Sequence, residues 1–169
     1  MQEAISPYVP FIVFIIAGII ISIFRDQNCR KVKDSVTQKI ERNKTKVVYL
    51  DTKVTWKATS FLSFHIQWEN AEVIITKGSI LYFSYFSFLG HRFYSQARHW
   101  HFGNEAIIPR QIRRSTPVKS FKITGGNLVI DSLVKHAKIS TTIKDVTSSG
   151  KLETIRKMLN ISRAQYQLD

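Results

Sequence analysis

Ala71-Glu72-Val73-Ile74-Ile75-Thr76-Lys77-Gly78-Ser79-Ile80-Leu81-Tyr82-Phe83-Ser84-Tyr85-Phe86 sets two runs of β-branched and aromatic residues on either side of a Gly78-Ser79 step. Such residues fit a pleated, half-buried surface, and glycine lets the chain reverse. The stretch therefore predicts a hairpin of two strands, Glu72–Lys77 and Ile80–Phe86.

Upstream of the hairpin, Lys46–Leu50 and Lys53–Trp56 read as short strands. Phe61–Trp68 is a third, aromatic-rich and only imperfectly alternating. Downstream, Arg92–Phe102, Glu105–Ile108, Val118–Thr124, Leu128–Leu133 and Ala137–Lys144 have the same character. Gly125-Gly126-Asn127 marks a tight turn between two of them. The period then changes. After Asp145–Gly150, residues Leu152, Ile155, Met158 and Leu159 fall on one face of a helix expected over 151–160. The expected fold class is α+β, mainly β: a small antiparallel β-barrel or sandwich closed by a C-terminal helix.

That order of elements resembles a pleckstrin-homology-like (PH-like) domain, including its GRAM and bacterial relatives. Ala71–Phe86 looks like the opening hairpin of the family. Ala106–Ile112 (A-I-I-P-R-Q-I) is similar to its "isoleucine, proline, x, x, isoleucine" strand, and Gly126–Leu159 to its closing strands and helix. The resemblance implies a non-enzymatic scaffold that binds lipids or proteins. Phosphoinositide-binding members carry a basic motif across the first hairpin. Here only Lys77 stands there, so no particular inositol lipid is implied.

Further upstream, Tyr8–Phe24 (Y-V-P-F-I-V-F-I-I-A-G-I-I-I-S-I-F) holds no charged residue. A helix of about 17 residues rises about 25 Å. The hydrocarbon core is about 30 Å thick, and extension back to Ala4 supplies the remainder. The first seven residues hold Glu3 and no Lys or Arg, and no A-x-A site ends the run, unlike a cleavable signal peptide. The expectation is a transmembrane helix over 8–24, with residues 1–7 as a short non-cytoplasmic N-terminus. Arg25, Arg30, Lys31 and Lys33 follow the span against Asp26 and Asp34, and none precedes it. The excess of Lys and Arg keeps the C-terminal domain cytoplasmic, or on the matrix side in an organelle. Within the span, Ala17 and Gly18 allow another helix to approach closely.

Residues 25–45 form a basic juxtamembrane stalk, ahead of a β-domain over 46–169. Cys29, Val32, Val36 and Ile40 make one narrow apolar stripe on a helix there. Four small apolar residues make a weak membrane face, so docking on the domain or a partner is preferred to lying on headgroups. Cys29 is the only cysteine, which excludes an intramolecular disulfide. Its place just past the span is also one where acylation occurs.

All 25 Lys and Arg, and all of the 12 acids but Glu3, lie beyond Phe24, giving that part a net charge of about +14. Such a domain meets an anionic surface, and a tether at a cytoplasmic leaflet selects anionic lipid. Arg110, Arg113, Arg114, Lys119 and Lys122 are the leading candidates for lipid or partner binding, since no acid occurs between Glu105 and Asp131. Arg30, Lys31 and Lys33 are further candidates.

His99 and His101 share one face of a strand and are weak metal candidates without an evident third ligand. Tyr82, Phe83, Tyr85, Phe86 and Phe88 read as core and interface rather than as a base-stacking platform for nucleic acid. No nucleophile elbow, Gly-rich phosphate loop or paired carboxylate points to catalysis, and no cofactor is implied. Two functions remain: a membrane-anchored binding module, and a single-span accessory subunit of a larger membrane complex.

Overall fold

The computed structural model describes residues 8–59, 64–102, 112, 115–134, 137–146 and 150–166. Residues 1–7, the start of the Phe61–Trp68 strand and the Glu105–Ile108 strand lie outside these.

One helix, α1, runs unbroken from Val9 to Arg42, 34 residues or about 50 Å. Pro10 falls in its first turn, where a missing N–H costs nothing. Lys39 and Arg42 sit in its last turn, where positive charge meets the negative end of the helix dipole. Span and stalk are thus a single rod. Seven strands follow: β1 (Val48–Thr59), β2 (Phe64–Ile75), β3 (Ser79–Phe88), β4 (His91–His101), β5 (Ser115–Thr124), β6 (Asn127–Val134) and β7 (Ala137–Ile143). A helix, α2 (Leu152–Tyr166), ends the order and extends past the expected 151–160.

The two strands expected over Lys46–Trp56 are one, as are those over Phe61–Lys77. Polar residues at the expected breaks are accommodated within the strands. Asp51 pairs across β1 and β2 with Glu72, and both carboxylates are bridged by Arg92. Glu69 turns toward Tyr82 and Gln96, which both donate to it.

Each strand bonds the next, and β7 returns to β1 from Val54↔Ile143 to Thr59↔Lys138, closing the sheet into a ring. The all-antiparallel expectation needs one correction, because β5 lies parallel to β4, with His99 opposite Ser115 and His101 opposite Pro117. The segment between His101 and Ser115 supplies the dozen or so residues that a parallel connection requires.

Inside the ring, Val54, Val73, Ile80, Tyr82, Leu128, Ile130 and Ile143 pack with Ile155, Met158 and Leu159 of α2. Outside it, Cys29, Val32, Val36 and Ile40 of α1 cover Ile74, Leu81, Phe83, Tyr94 and Ile112. The expected stripe therefore docks on the domain itself. β3 is buried on both faces: Ile80 and Tyr82 point inward, while Leu81 and Phe83 lie under α1.

Candidate functional site

α1 is long and apolar enough to cross a membrane. Its most apolar 18-residue window has mean hydropathy 2.2, and none of it is buried. Where the apolar half gives way to the docked half, a chain of ion pairs and hydrogen bonds fastens helix to sheet.

Asp26 accepts the Tyr94 backbone N–H at 2.8 Å through one oxygen and Arg30 Nε at 2.8 Å through the other. The Arg30 guanidinium also donates to the Arg92 carbonyl at 2.5 Å. One turn on, Lys33 pairs with the Glu72 carboxylate and donates to the Tyr94 hydroxyl at 2.8 Å. That hydroxyl donates in turn to Glu72 at 2.7 Å. Arg92 bridges Glu72 at 2.6 Å and Asp51 at 2.5 Å, and Tyr85 donates to Asp51 at 2.6 Å. Arg92 also lies over the Tyr85 ring, 4.6 Å from its centre.

These contacts set the protonation states. Burial pushes the Glu72 carboxyl up, but donors from Lys33, Tyr94 and Arg92 outweigh it and hold it below the ordinary value. Burial pulls Lys33 down, but Glu72 and Tyr94 leave it raised. Burial and the Asp51 carboxylate push Tyr85 up to about 12. Both members of the Lys33–Glu72 pair are thus charged at neutral pH.

Of the predicted basic residues, Arg30 and Lys33 are engaged in this clamp, and Lys31 is exposed on α1. Lys119 and Lys122 are exposed on β5, both facing outward because a bulge interrupts the β5–β6 register between Val118 and Ser120. Arg110, Arg113 and Arg114 lie outside the described residues. Gly18 has nothing within 4 Å of where a Cβ would stand. Cys29 is buried against the sheet, and burial raises its thiol pKa, so acylation would need α1 to lift away.

His99 is 1% exposed, and its ring nitrogens bond the Ser115 and Ser79 hydroxyls at 2.8 and 2.9 Å. His101 stacks on it with ring centres 5.7 Å apart. Among the described residues no group of three His, Cys, Asp or Glu gathers that could hold a metal.

Sequence reasoning missed the acidic half of the clamp and a second polar cluster inside the ring. There Glu69 accepts from Tyr82 at 3.0 Å and Gln96 at 2.7 Å, while Arg98 lies over the Trp56 ring at 4.3 Å. A cleft of about 590 Å³ opens beside β1, with Asp51, Lys53, Asn70, Asp145 and Lys151 among its walls. Its mixed charges favour neither anion nor cation.

Fold and site together define an apolar helix clamped to a closed seven-stranded ring. No family model, curated protein or solved structure matches the chain.

Proposed function

We propose that this chain is a non-enzymatic single-pass membrane protein that holds a basic, PH-like domain rigidly at the cytoplasmic face, where it engages anionic headgroups or a protein partner. The observation that carries the reading is the unbroken α1: apolar and uncovered over its first half, docked on the sheet over its second. A hinged stalk would let the domain wander, whereas a clamped rod fixes which surface meets the membrane. The seven-stranded ring with α2 packed into its core speaks for the PH-like reading, and the parallel β4–β5 pair speaks against it. The flanking Arg25, Arg30, Lys31 and Lys33 support an N-terminus outside and the domain inside.

The lipid half is tested with the full chain in nanodiscs, by energy transfer from its tryptophans to dansyl-labelled phosphatidylserine or phosphatidylcholine at about 150 mM salt. Preferential transfer to the serine lipid is expected, and equal transfer removes lipid selectivity from the proposal.

A second reading, an accessory subunit of a membrane complex, is favoured by the open Ala17–Gly18 surface and by Trp68, 70% exposed on β2. Extraction in mild detergent followed by size analysis tests it. A monomer-sized particle removes it.

A further inference from the structure

The turn between β3 and β4 carries three exposed apolar side chains: Phe86 at 48%, Phe88 at 60% and Leu89 at 82%. Phe86 stacks on Phe93 across the hairpin, with ring centres 5.2 Å apart. Leu89 and Gly90 form the two-residue loop that closes the Phe88↔His91 pair, with φ of +48° and +78°. Loops with two left-handed residues take Asn, Asp or Gly, because a larger side chain is strained there. Leucine is thus a poor turn former at this position, and it buries nothing within the described protein.

The clamp shows where this turn points. Tyr94 bonds to Asp26, at the head of the docked half of α1. At the other end of that half, Thr45 N–H bonds the Ile40 carbonyl, and β1 begins at Val48. Val48 pairs with Ile75, Ile75 with Ile80, and Ile80 with Trp100. From Asp26 to Ile40 the helix rises about 21 Å. From Tyr94 to Trp100 the strand rises about 20 Å. Helix and strand therefore run side by side in the same sense, and the turn preceding Tyr94 projects along α1 toward its apolar half. Phe24 lies only about 3 Å before Asp26 along the helix. Leu89 lies up to about 16 Å before Tyr94 along the strand, somewhat less for a twisted ribbon. The turn thus passes the level at which the apolar half of α1 begins.

The geometry points to a second membrane contact: Phe88 and Leu89 enter the acyl chains of the same leaflet that α1 enters, Phe86 lies at the boundary below them, and exposed Arg25 and Lys31 meet the headgroups. The inference rests on α1 being a membrane anchor. Continuity with that apolar surface identifies the occupant as lipid hydrocarbon, and the basic fringe matches an anionic headgroup layer. Two separated insertions restrain the tilt of α1 relative to the bilayer, so the face of the ring that the clamp turns toward the membrane stays seated on it.

The test uses the full chain with Cys29→Ala and single cysteines labelled with a polarity-sensitive dye, reconstituted into phosphatidylcholine–phosphatidylglycerol vesicles. Leu89→Cys probes the turn, Phe14→Cys the span, and Thr124→Cys the exposed end of β5. With lipids brominated at mid-chain, the Leu89 label is expected to be blue-shifted and to lose about half or more of its emission, as an inserted group does. The Phe14 label should be quenched as well, and the Thr124 label should not. A solvent-like, unquenched Leu89 label overturns the inference, as does equal quenching at Thr124. With Leu89 unquenched, a quenched Phe14 label leaves the anchor standing, and an unquenched one removes the anchor too.

Discussion

The Asp26 carboxylate accepts the backbone N–H of Tyr94 at 2.8 Å, tying the helix to the sheet at the point where α1 leaves its apolar half. The bond matters because the residue that donates it is only 5% exposed. Asp26→Ala strands this donor and releases Arg30. A loss of about 1–3 kcal/mol is expected, the cost of an unsatisfied buried polar group. Asp26→Asn keeps an oxygen toward Tyr94 and should lose less than the alanine variant. Urea unfolding of the detergent-solubilised chain measures both, and equal losses would contradict the hydrogen bond's role.

Val36 is fully buried in the outer core with Ile74, Leu81 and Phe83, and Cys29 is buried on the same face of α1. Val36→Asp places an unpaired charge there, at an expected cost of about 3–5 kcal/mol to docking. Because Cys29 is the only thiol, its maleimide labelling rate reports undocking directly. Labelling should be slow in the native chain and accelerate strongly in Val36→Asp. Lys31→Asp, on the exposed side of the same helix, should leave the rate unchanged.

Much of this architecture is legible in the residues themselves. The Gly78-Ser79 reversal, the Gly125-Gly126 turn and the 3.6-residue spacing of Leu152, Ile155 and Leu159 act locally, and each appears where its pattern places it. The stripe of Cys29, Val32, Val36 and Ile40 announces docking but not its target. That target is written in β3, where Ile80 to Phe83 lose the period-two alternation because the sheet is covered on both sides. The ion pairs were hidden for a different reason. Lys33 and Glu72 lie far apart in sequence, and a basic residue near a membrane reads as lipid-facing until its acidic partner is placed beside it. The parallel β4–β5 pairing is a matter of crossover topology, which strand periodicity does not encode.

Thr141 is fully buried on β7, opposite Trp56 and Ile130, and its hydroxyl has no hydrogen-bond partner among the described residues. Valine has nearly the same shape without the hydroxyl to desolvate. Thr141→Val should therefore stabilise the chain by about 1 kcal/mol. Thermal unfolding at neutral pH measures this, and a clear loss of stability would mean that the hydroxyl is satisfied in solution.

His99 joins β3, β4 and β5, since its ring bridges Ser79 and Ser115 where the parallel pairing is only three residues long. Burial, with the neighbouring His101 adding to it, pushes its pKa down to about 4. The unfolded chain titrates this group near the ordinary value of 6.5 and so binds the proton more readily than the native state. Stability from a neutral His99 is therefore complete above about pH 6.5 and falls as the pH drops toward 4. Between about pH 7.5 and pH 5 the expected loss is about 2 kcal/mol. His99→Gln removes the titrating group while keeping polar atoms toward both serines, so its stability should be lower at neutral pH but flatter with acidification. Unfolding of both chains across this range isolates the His99 contribution as the difference between the curves. Curves that stay parallel down to about pH 5 would show that the imidazole is not held neutral by its surroundings.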